Sequence, residues 1–353
     1  MTKKIGLLTF HRANNYGAVM QAYSLKISLQ KLGAEAKIIN YLSPKIEEQR
    51  TLNFNKFSLK KLFKIPFNCI LNKRFSSFRK MFLTDTPKYI KKDLEKLTDY
   101  YAFITGSDQV FNPSGSNFDS AYFLSFAKKS KKYSYAASFG KSFLSDKDKK
   151  FIAPLIKDFS DLSVRENIGI EIIRNLTGQK SSVNLDPIFL LNKEEWTKIA
   201  KQTKEKDYIL VYLMNNDGRI LKFIDKLAHE LKLKIIIITT VVKDFFTSKN
   251  TIIPNPQEWL GYFINAKYIV TNSFHGTAFS INFNKNFFVD LLSPLPENVN
   301  SRLENILDLF NLKDRIIDNI GNDYDTPIDY EAVNKILGIE REKSINYLKE
   351  IIK

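Results

Sequence analysis

The stretch KIGLLTFHRANNYGAVMQAYSLKISLQKLGAEAKIINY, residues 4–41, decides the fold. Lys4–Phe10 is short and apolar with little alternation, which predicts a strand buried on both faces of a parallel sheet. The polar loop His11-Arg12-Ala13-Asn14-Asn15 follows, and then a helix from about Gly17 to Leu32. Its apolar positions Ala18, Ala22, Leu25, Leu29 and Leu32 step by four and three, which makes one buried face. Gly33 stands where a glycine commonly ends a helix. Ala36–Tyr41 reads as a second strand, and the βαβ opening implies a parallel α/β sheet.

Outward from this unit the rhythm repeats. Tyr101–Thr105, Lys132–Ser138, Asp161–Val164 and Ser181–Leu185 read as further strands of a first Rossmann-like domain, expected over residues 1–190. A second series predicts strands at Tyr208–Met214, Lys234–Thr240, Tyr268–Thr271 and Phe287–Asp290. Helices are expected between them at Gly218–Leu231 and Pro256–Ala266, from His275 or Gly276 onward, and at Ser301–Phe310. This gives a second Rossmann-like domain over 191–328, and a closing helix occupies 329–353. Two such halves facing a cleft place ligands at the carboxyl ends of the strands.

Composition narrows the function classes. A chain of 353 residues with 44% hydrophobic and 26% charged residues is globular and long enough for two domains. Cys69 is the only cysteine, which excludes an internal disulfide framework, a zinc ribbon and a CxxC redox pair. Three histidines without an HExxH pattern make a histidine metal centre unexpected, so no metal and no resident cofactor is predicted. The apolar run Ile5–Phe10 is too short for a signal-peptide core, and no stretch approaches the roughly 18 apolar residues of a spanning helix. A cytoplasmic location is the expectation.

Charge is unevenly placed. The chain carries a formal +16, and residues 50–84 hold nine basic residues, seven phenylalanines and no acid. This basic aromatic insertion is expected to draw the chain to an anionic membrane face, at about 1 kcal/mol per cation near the surface. Most of its phenylalanines are expected in the core instead.

Four strand-to-loop junctions concentrate chemistry. Asn14-Asn15-Tyr16-Gly17-Ala18 runs into the first helix, where free amides and Asn side chains suit hydroxyl-rich or anionic ligands, although helix capping by Asn15 explains it equally. Gly106-Ser107-Asp108-Gln109-Val110-Phe111-Asn112 offers Asp108 to act on a sugar hydroxyl, with Gln109 and Asn112 holding neighbouring hydroxyls. Asp and Asn are also ordinary turn residues, which favours the blander account there. Thr271-Asn272-Ser273-Phe274-His275-Gly276-Thr277 sets an imidazole at a helix start, able to bind phosphate or donate a proton. Ser163-Val164-Arg165-Glu166 ends a strand on a guanidinium that can clamp a carboxylate or phosphate by two hydrogen bonds, or pair with Glu166.

Other patterns carry less. Gly140-Lys141-Ser142 has Tyr135 where a phosphate-binding loop needs its first glycine, and neither a GxGxxG nor a GxSxG occurs. Asp323-Tyr324-Asp325 reads as a solvated turn, Cys69 as a packed thiol, and His229 as a helix residue without a role.

Taken in order, the Asn-Tyr-Gly-Ala-x-x-Gln-Ala, Gly-Ser-Asp-Gln-Val, Ser-Val-Arg-Glu and Ser-Phe-His-Gly blocks resemble the polysaccharide pyruvyl transferase family. The likeness runs from Ile5 to about Arg315 and includes Trp259-Leu260-Gly261-Tyr262 and Ser301-Arg302-Leu303. It implies a GT-B-like glycosyltransferase fold of two Rossmann-like domains, and transfer of pyruvate from phosphoenolpyruvate onto a sugar as a ketal. By that resemblance Arg165 and His275 match the donor-binding arginine and histidine, with Phe274 and Gly276 beside them. Some members carry a second arginine where this chain has Ser273, so Arg302 and Arg12 are the candidates to meet the remaining donor charge. Expected partners are then phosphoenolpyruvate and an oligosaccharide or lipid-linked sugar, held by Asn14, Asn15, Tyr16, Asp108, Gln109 and Asn112. His275 and Asp108 are the expected catalytic pair. Two rivals stand beside this reading: a sugar-nucleotide-dependent glycosyltransferase of the same architecture, and a non-catalytic basic nucleic-acid-binding protein, against which the lack of a reader motif counts.

Overall fold

The computed structural model describes residues 2–50, 64–214, 218–241, 250–291, 300–321 and 324–353. Part of the basic aromatic segment, 51–63, lies outside them, as does Asp323.

The first sheet is parallel throughout, in the order β2 (Glu35–Ile38), β1 (Lys4–Leu8), β5 (Ala102–Thr105), β6 (Lys132–Ser134). The expected strand at 36–41 is two elements. Beyond Ile38 the chain leaves β1, and β3 (Asn40–Tyr41) pairs instead with β4 (Lys88–Tyr89). Past β6 the sheet continues by single bridges, Tyr133 to Asp161 and Ala137 to Val164. These lead to the small pair β7 (Ser163–Val164) and β8 (Ser182–Val183). The second sheet, also parallel, runs β11 (Thr251–Ile252), β10 (Lys234–Ile238), β9 (Tyr208–Tyr212), β12 (Tyr268–Thr271), β13 (Asn286–Val289).

Helices cover the sheets where the apolar periodicity places them. Helix α1 (Tyr16–Lys31) is capped by Asn15, whose side chain accepts from the Ala18 amide at 3.0 Å. Helix α2 (Pro44–Arg50) precedes the undescribed residues, and α3 (Lys64–Phe82) follows them. On α3, Phe67, Leu71, Phe75 and Phe78 are buried along one face, while Lys73, Arg74 and Lys80 are exposed. Burying a phenylalanine stabilises by about 1.5–3 kcal/mol, so this face belongs to the core, as expected, for Phe67, Phe75 and Phe78, while Phe54, Phe57 and Phe63 lie outside the described residues. Cys69 is exposed on the other side of the helix, correcting the expectation of a packed thiol.

Three apolar clusters organise the halves. One fills the far face of the first sheet, around Phe103, Phe111, Phe123 and Ile152. A second fills the far face of the second sheet, around Ile209, Ile224 and Phe288. The largest is shared: it runs from Ile5, Val19 and Phe75 through Trp196 and Trp259 to Phe279 and Leu307. Among the described residues this cluster joins the halves along one side. The chain crosses between them after Asp186-Pro187. It returns through the last helix (Tyr330–Ile351), whose Tyr347 hydroxyl donates to the Ser134 carbonyl at 2.9 Å and whose Ser344 hydroxyl accepts from the Leu185 amide at 3.0 Å. Among the described residues no helix is long and apolar enough to cross a membrane.

Candidate functional site

The loops at the carboxyl ends of β1, β5, β7 and β12 converge between the two sheets. A cavity of about 280 Å³ lies there, lined by Asn15, Asp108, Gln109, Asn272, Ser273, Phe274, His275 and Arg302 among others. On the other side of the Phe274 ring a second space of about 340 Å³ is lined by Arg165, Asn167, Asp186, Phe189 and Asn305 among others. The phenyl ring is the partition, and the Arg165 guanidinium lies over it at 4.2 Å from the centroid.

His275 sits in the first turn of the helix Phe274–Asn282, which Ser273 caps by accepting from the Gly276 amide at 3.3 Å. The imidazole is packed against α1 at Gly17, where an added Cβ would come within 2.0 Å of Nδ1. No side chain but hydrogen fits there, which gives the glycine of the Asn-Tyr-Gly block its reason. The other ring nitrogen, Nε2, faces Asp186 Oδ2 at 3.6 Å, beyond hydrogen-bonding range, and has no hydrogen-bond partner.

Arg165 is almost fully buried. Its Nη1 donates to Asp186 Oδ2 at 2.8 Å, and Glu166 Oε2 lies 3.7 Å from its Nε. Nε and Nη2, the two nitrogens of one edge of the fork, are buried without a hydrogen-bond partner. Burial opposes the charge, but Asp186, Glu166 and Asp108 outweigh it and hold the guanidinium protonated. Arg302, from the helix Ser301–Leu309, reaches the cavity from the second half. It donates to the Gln109 side-chain oxygen at 3.0 and 3.3 Å in the amide orientation that satisfies both groups, and its Nε is left unpartnered. Burial, and then repulsion from Arg165, push its pKa down. Two guanidiniums near enough to repel each other and an imidazole thus surround the Phe274 ring with donor nitrogens to spare. Such a region stabilises an anion carrying several acceptor oxygens.

Sequence reasoning passed over Asp186, Ser107 and Gln21. Asp186 is fully buried, accepts from Ser107 Oγ at 3.0 Å as well as from Arg165, and lies beside His275. Burial raises its pKa, but His275 and Arg165 outweigh that and hold the carboxyl well below the usual range. Ser107 is held in turn by Gln21, whose Oε1 accepts from the Ser107 amide at 3.0 Å. The signals available were the Asp-Pro at a strand end and the glutamine of the first block, and both read equally well as capping and packing.

The remaining expected residues divide. Asp108, at φ 71°, and Gln109 line the cavity, and Gly276 packs its backbone against Thr271 Oγ1 below His275. Asn15 both caps α1 and lines the cavity. Four others are engaged elsewhere. Tyr16 is a pin between the halves: it is fully buried, stacks on Trp259 at 5.4 Å and 12°, and donates to the Pro254 carbonyl at 2.7 Å. No edge of that ring is left for an acceptor. Asn14 donates to Asn72 Oδ1 at 2.9 Å and accepts from Arg79 Nη2 at 3.1 Å. Asn112 caps the short turn Pro113–Ser116, accepting from the Gly115 amide at 3.3 Å. Arg12, the other candidate for the donor's charge, spends all three nitrogens: Nε and Nη2 on Glu47 at 2.7 and 3.0 Å, Nη1 on Asn40 at 2.7 Å. Of the two arginines nominated to replace the one missing at Ser273, only Arg302 lies at the cavity.

Among solved structures the chain resembles S. aureus MnaA in a co-structure with UDP, at 11% identity and TM-score 0.50, over 99% of this chain and 91% of that one. It likewise resembles a Listeria monocytogenes protein assigned as a UDP-N-acetylglucosamine 2-epimerase, at 8% identity and TM-score 0.50, over 96% and 95%. The spinosyn rhamnosyltransferase SpnG superposes with TM-score 0.44 at 10% identity, over 99% and 95%. For the first two, at these identities, the likeness concerns the fold alone, a GT-B-like pair of Rossmann-like domains. No curated protein matches the sequence. The family model described as polysaccharide pyruvyl transferase matches residues 15–289, which span the first helix, the Asp108 and Arg165 loops and the His275 helix. The chain belongs to the polysaccharide pyruvyl transferase family.

Proposed function

We propose that this transferase moves the enolpyruvyl group of phosphoenolpyruvate onto a sugar of a cell-surface polysaccharide or its lipid-linked precursor. The product is a pyruvate ketal, and inorganic phosphate is released. The observation that carries this reading is the trio Arg165, Arg302 and His275 around the Phe274 ring: three buried donor nitrogens of the two guanidiniums lack hydrogen-bond partners, Arg165 on one side of the ring and Arg302 with His275 on the other. Phosphoenolpyruvate is a small polyanion whose carboxylate and phosphate match such donors.

The chemistry follows from charge and proton balance. A proton is added to the methylene carbon, which makes the adjacent carbon electrophilic, and an acceptor hydroxyl attacks that carbon. Its proton is lost and the phosphate leaves with the bonding electron pair. A second hydroxyl of the same sugar then adds, gives its proton to the departing phosphate and closes the ketal ring. His275 holds the donor and supplies the proton from Nδ1, the ring nitrogen that does not face Asp186, Arg165 and Arg302 bind its anionic groups, and Asp108 takes the proton of the attacking hydroxyl. Asn15 and Gln109 line the side from which the sugar approaches. The exposed cations of α3 and the adjoining basic residues would bring the enzyme to an anionic membrane face carrying a lipid-linked acceptor; flotation with anionic vesicles at low salt tests this, and no binding removes it.

The reaction itself is tested by phosphate release from phosphoenolpyruvate on addition of sugar acceptors. Release by wild type and none by His275→Ala, with the fold intact by circular dichroism, is the expected result. Turnover retained in His275→Ala overturns the assignment. Transfer from a nucleotide sugar instead would make the chain a glycosyltransferase.

A further inference from the structure

Arg165 and His275 come from different halves of the molecule, yet they meet at a single oxygen. Asp186 Oδ2 lies 2.8 Å from Arg165 Nη1, 3.6 Å from His275 Nε2 and 3.0 Å from Ser107 Oγ. The other oxygen, Oδ1, accepts from the Ile188 amide at 3.1 Å and caps the turn by which the chain crosses into the second half. The carboxylate is therefore fixed at both oxygens and fully buried, with no freedom to follow either partner.

Two consequences follow. Because Arg165 hydrogen-bonds through Nη1, its Nε and Nη2 edge is left without a hydrogen bond, with the Glu166 carboxylate 3.7 Å from Nε, and that edge has the geometry to grip a carboxylate or phosphate at two points. The imidazole is fixed from both sides: Gly17 leaves room for nothing beyond hydrogen at the Nδ1 side, and the negative charge lies at the Nε2 side. An N–H bond is favoured at whichever nitrogen faces the carboxylate.

We propose that Asp186 is the positioning residue of this site: its shared oxygen sets which edge of Arg165 is offered to an anion and keeps the imidazole proton of His275 on Nε2. The inference rests on the reading that Arg165 and His275 hold the donor, but its first test needs no donor. The chain has three histidines, His11, His229 and His275, so ¹⁵N-histidine spectra of the whole protein are simple to assign, with His275→Gln identifying the third. Wild type should show His275 protonated on Nε2, and Asp186→Asn should mix its two tautomers while leaving His11 and His229 unmoved. An unchanged His275 spectrum in Asp186→Asn overturns the proposal.

The second test uses phosphoenolpyruvate turnover. Asp186→Asn should lower kcat about 100-fold while KM for the donor rises less than about tenfold. A rise in KM at unchanged kcat, or no change in either, overturns the positioning role. Should Asp186→Asn fail to fold, Ser107→Ala removes the hydroxyl whose single proton is shared between that oxygen at 3.0 Å and the Ala136 carbonyl at 2.8 Å, without touching the donor groups. It should shift the His275 spectrum in the same direction and lower kcat about five- to tenfold, and an unmoved spectrum there is equally fatal. Wild type that neither binds nor consumes phosphoenolpyruvate would refute the proposed function, and the imidazole spectrum would still decide the role of Asp186.

Discussion

Two loops of the first half each end on an arginine, and the two arginines have opposite fates. After β1, Arg12 meets Glu47 with two nitrogens and Asn40 with the third, so every one of its nitrogens has a partner inside the fold. After β7, Arg165 meets Asp186 with one nitrogen and keeps a two-nitrogen edge buried and unmatched. Both guanidiniums are shielded from solvent and both have carboxylate neighbours. Charge and position in sequence did not separate them. What separates them is the count of buried nitrogens without a hydrogen bond, none for Arg12 and two for Arg165, since a buried polar group without a partner costs roughly 1–3 kcal/mol and is retained where a ligand supplies the partner.

That contrast can be broken from either side. The largest effect is expected from Arg165→Ala: loss of two charge-assisted hydrogen bonds to the donor should lower kcat/KM for phosphoenolpyruvate by roughly 1,000-fold. Activity within tenfold of wild type would mean that the vacant edge is not the donor's. Next comes Gly17→Ala. Its methyl group cannot coexist with the imidazole as placed, so His275 must move and turnover should fall about 100-fold with little loss of stability, because the ring borders an open cavity. A crystal structure or the histidine spectrum of this variant would show the displacement, and an unmoved ring would be inconsistent with the packing described. Arg302→Gln should weaken donor binding about tenfold, less than Arg165→Ala, since two of its nitrogens are already satisfied by Gln109.

Arg12→Gln should barely alter donor binding, by less than about threefold, yet cost about 1–2 kcal/mol of stability. Its effect has a pH signature. Burial raises the pKa of Glu47, but hydrogen bonds and charge from Arg12 and Arg50 outweigh this and leave it lowered. A carboxylate with a depressed folded pKa contributes stability that is complete above its unfolded pKa and is lost as pH falls through the folded one. The difference between wild type and Arg12→Gln should therefore be full at neutral pH and shrink on acidification below about pH 4. Urea melts at a series of pH values would show it, and a difference independent of pH would contradict the pairing with Glu47.

Much of the fold was legible because parallel α/β units advertise themselves. The short apolar run before α1, the 3.6-residue stepping within it and the glycine after it leave little room for another reading, and Tyr268–Thr271 is found at its predicted limits. The break at Ile39 was not legible. Which sheet a strand joins depends on its neighbours in space, and Tyr41 pairs with Tyr89, far along the chain. The site follows the same division. His275, Arg165 and Asp108 stand at strand ends and could be read as such. Tyr16 could not, because its role depends on Trp259 and Pro254 from the other half. Asp186 was equally hidden: an Asp before Pro is an ordinary turn cap, and it serves as one here, while its second oxygen collects Ser107 from 79 residues away.

The central claim is that Arg165 and His275 form the seat of a small phosphorylated anion. The measurement that tests it most directly is calorimetric titration of phosphoenolpyruvate into wild type, Arg165→Ala and His275→Ala, with a nucleotide sugar as the comparison ligand. One phosphoenolpyruvate bound per wild-type chain, abolished in both variants and unaffected by the nucleotide sugar, is the predicted result. Equal phosphoenolpyruvate binding by all three proteins, or binding of the nucleotide sugar alone, would contradict it.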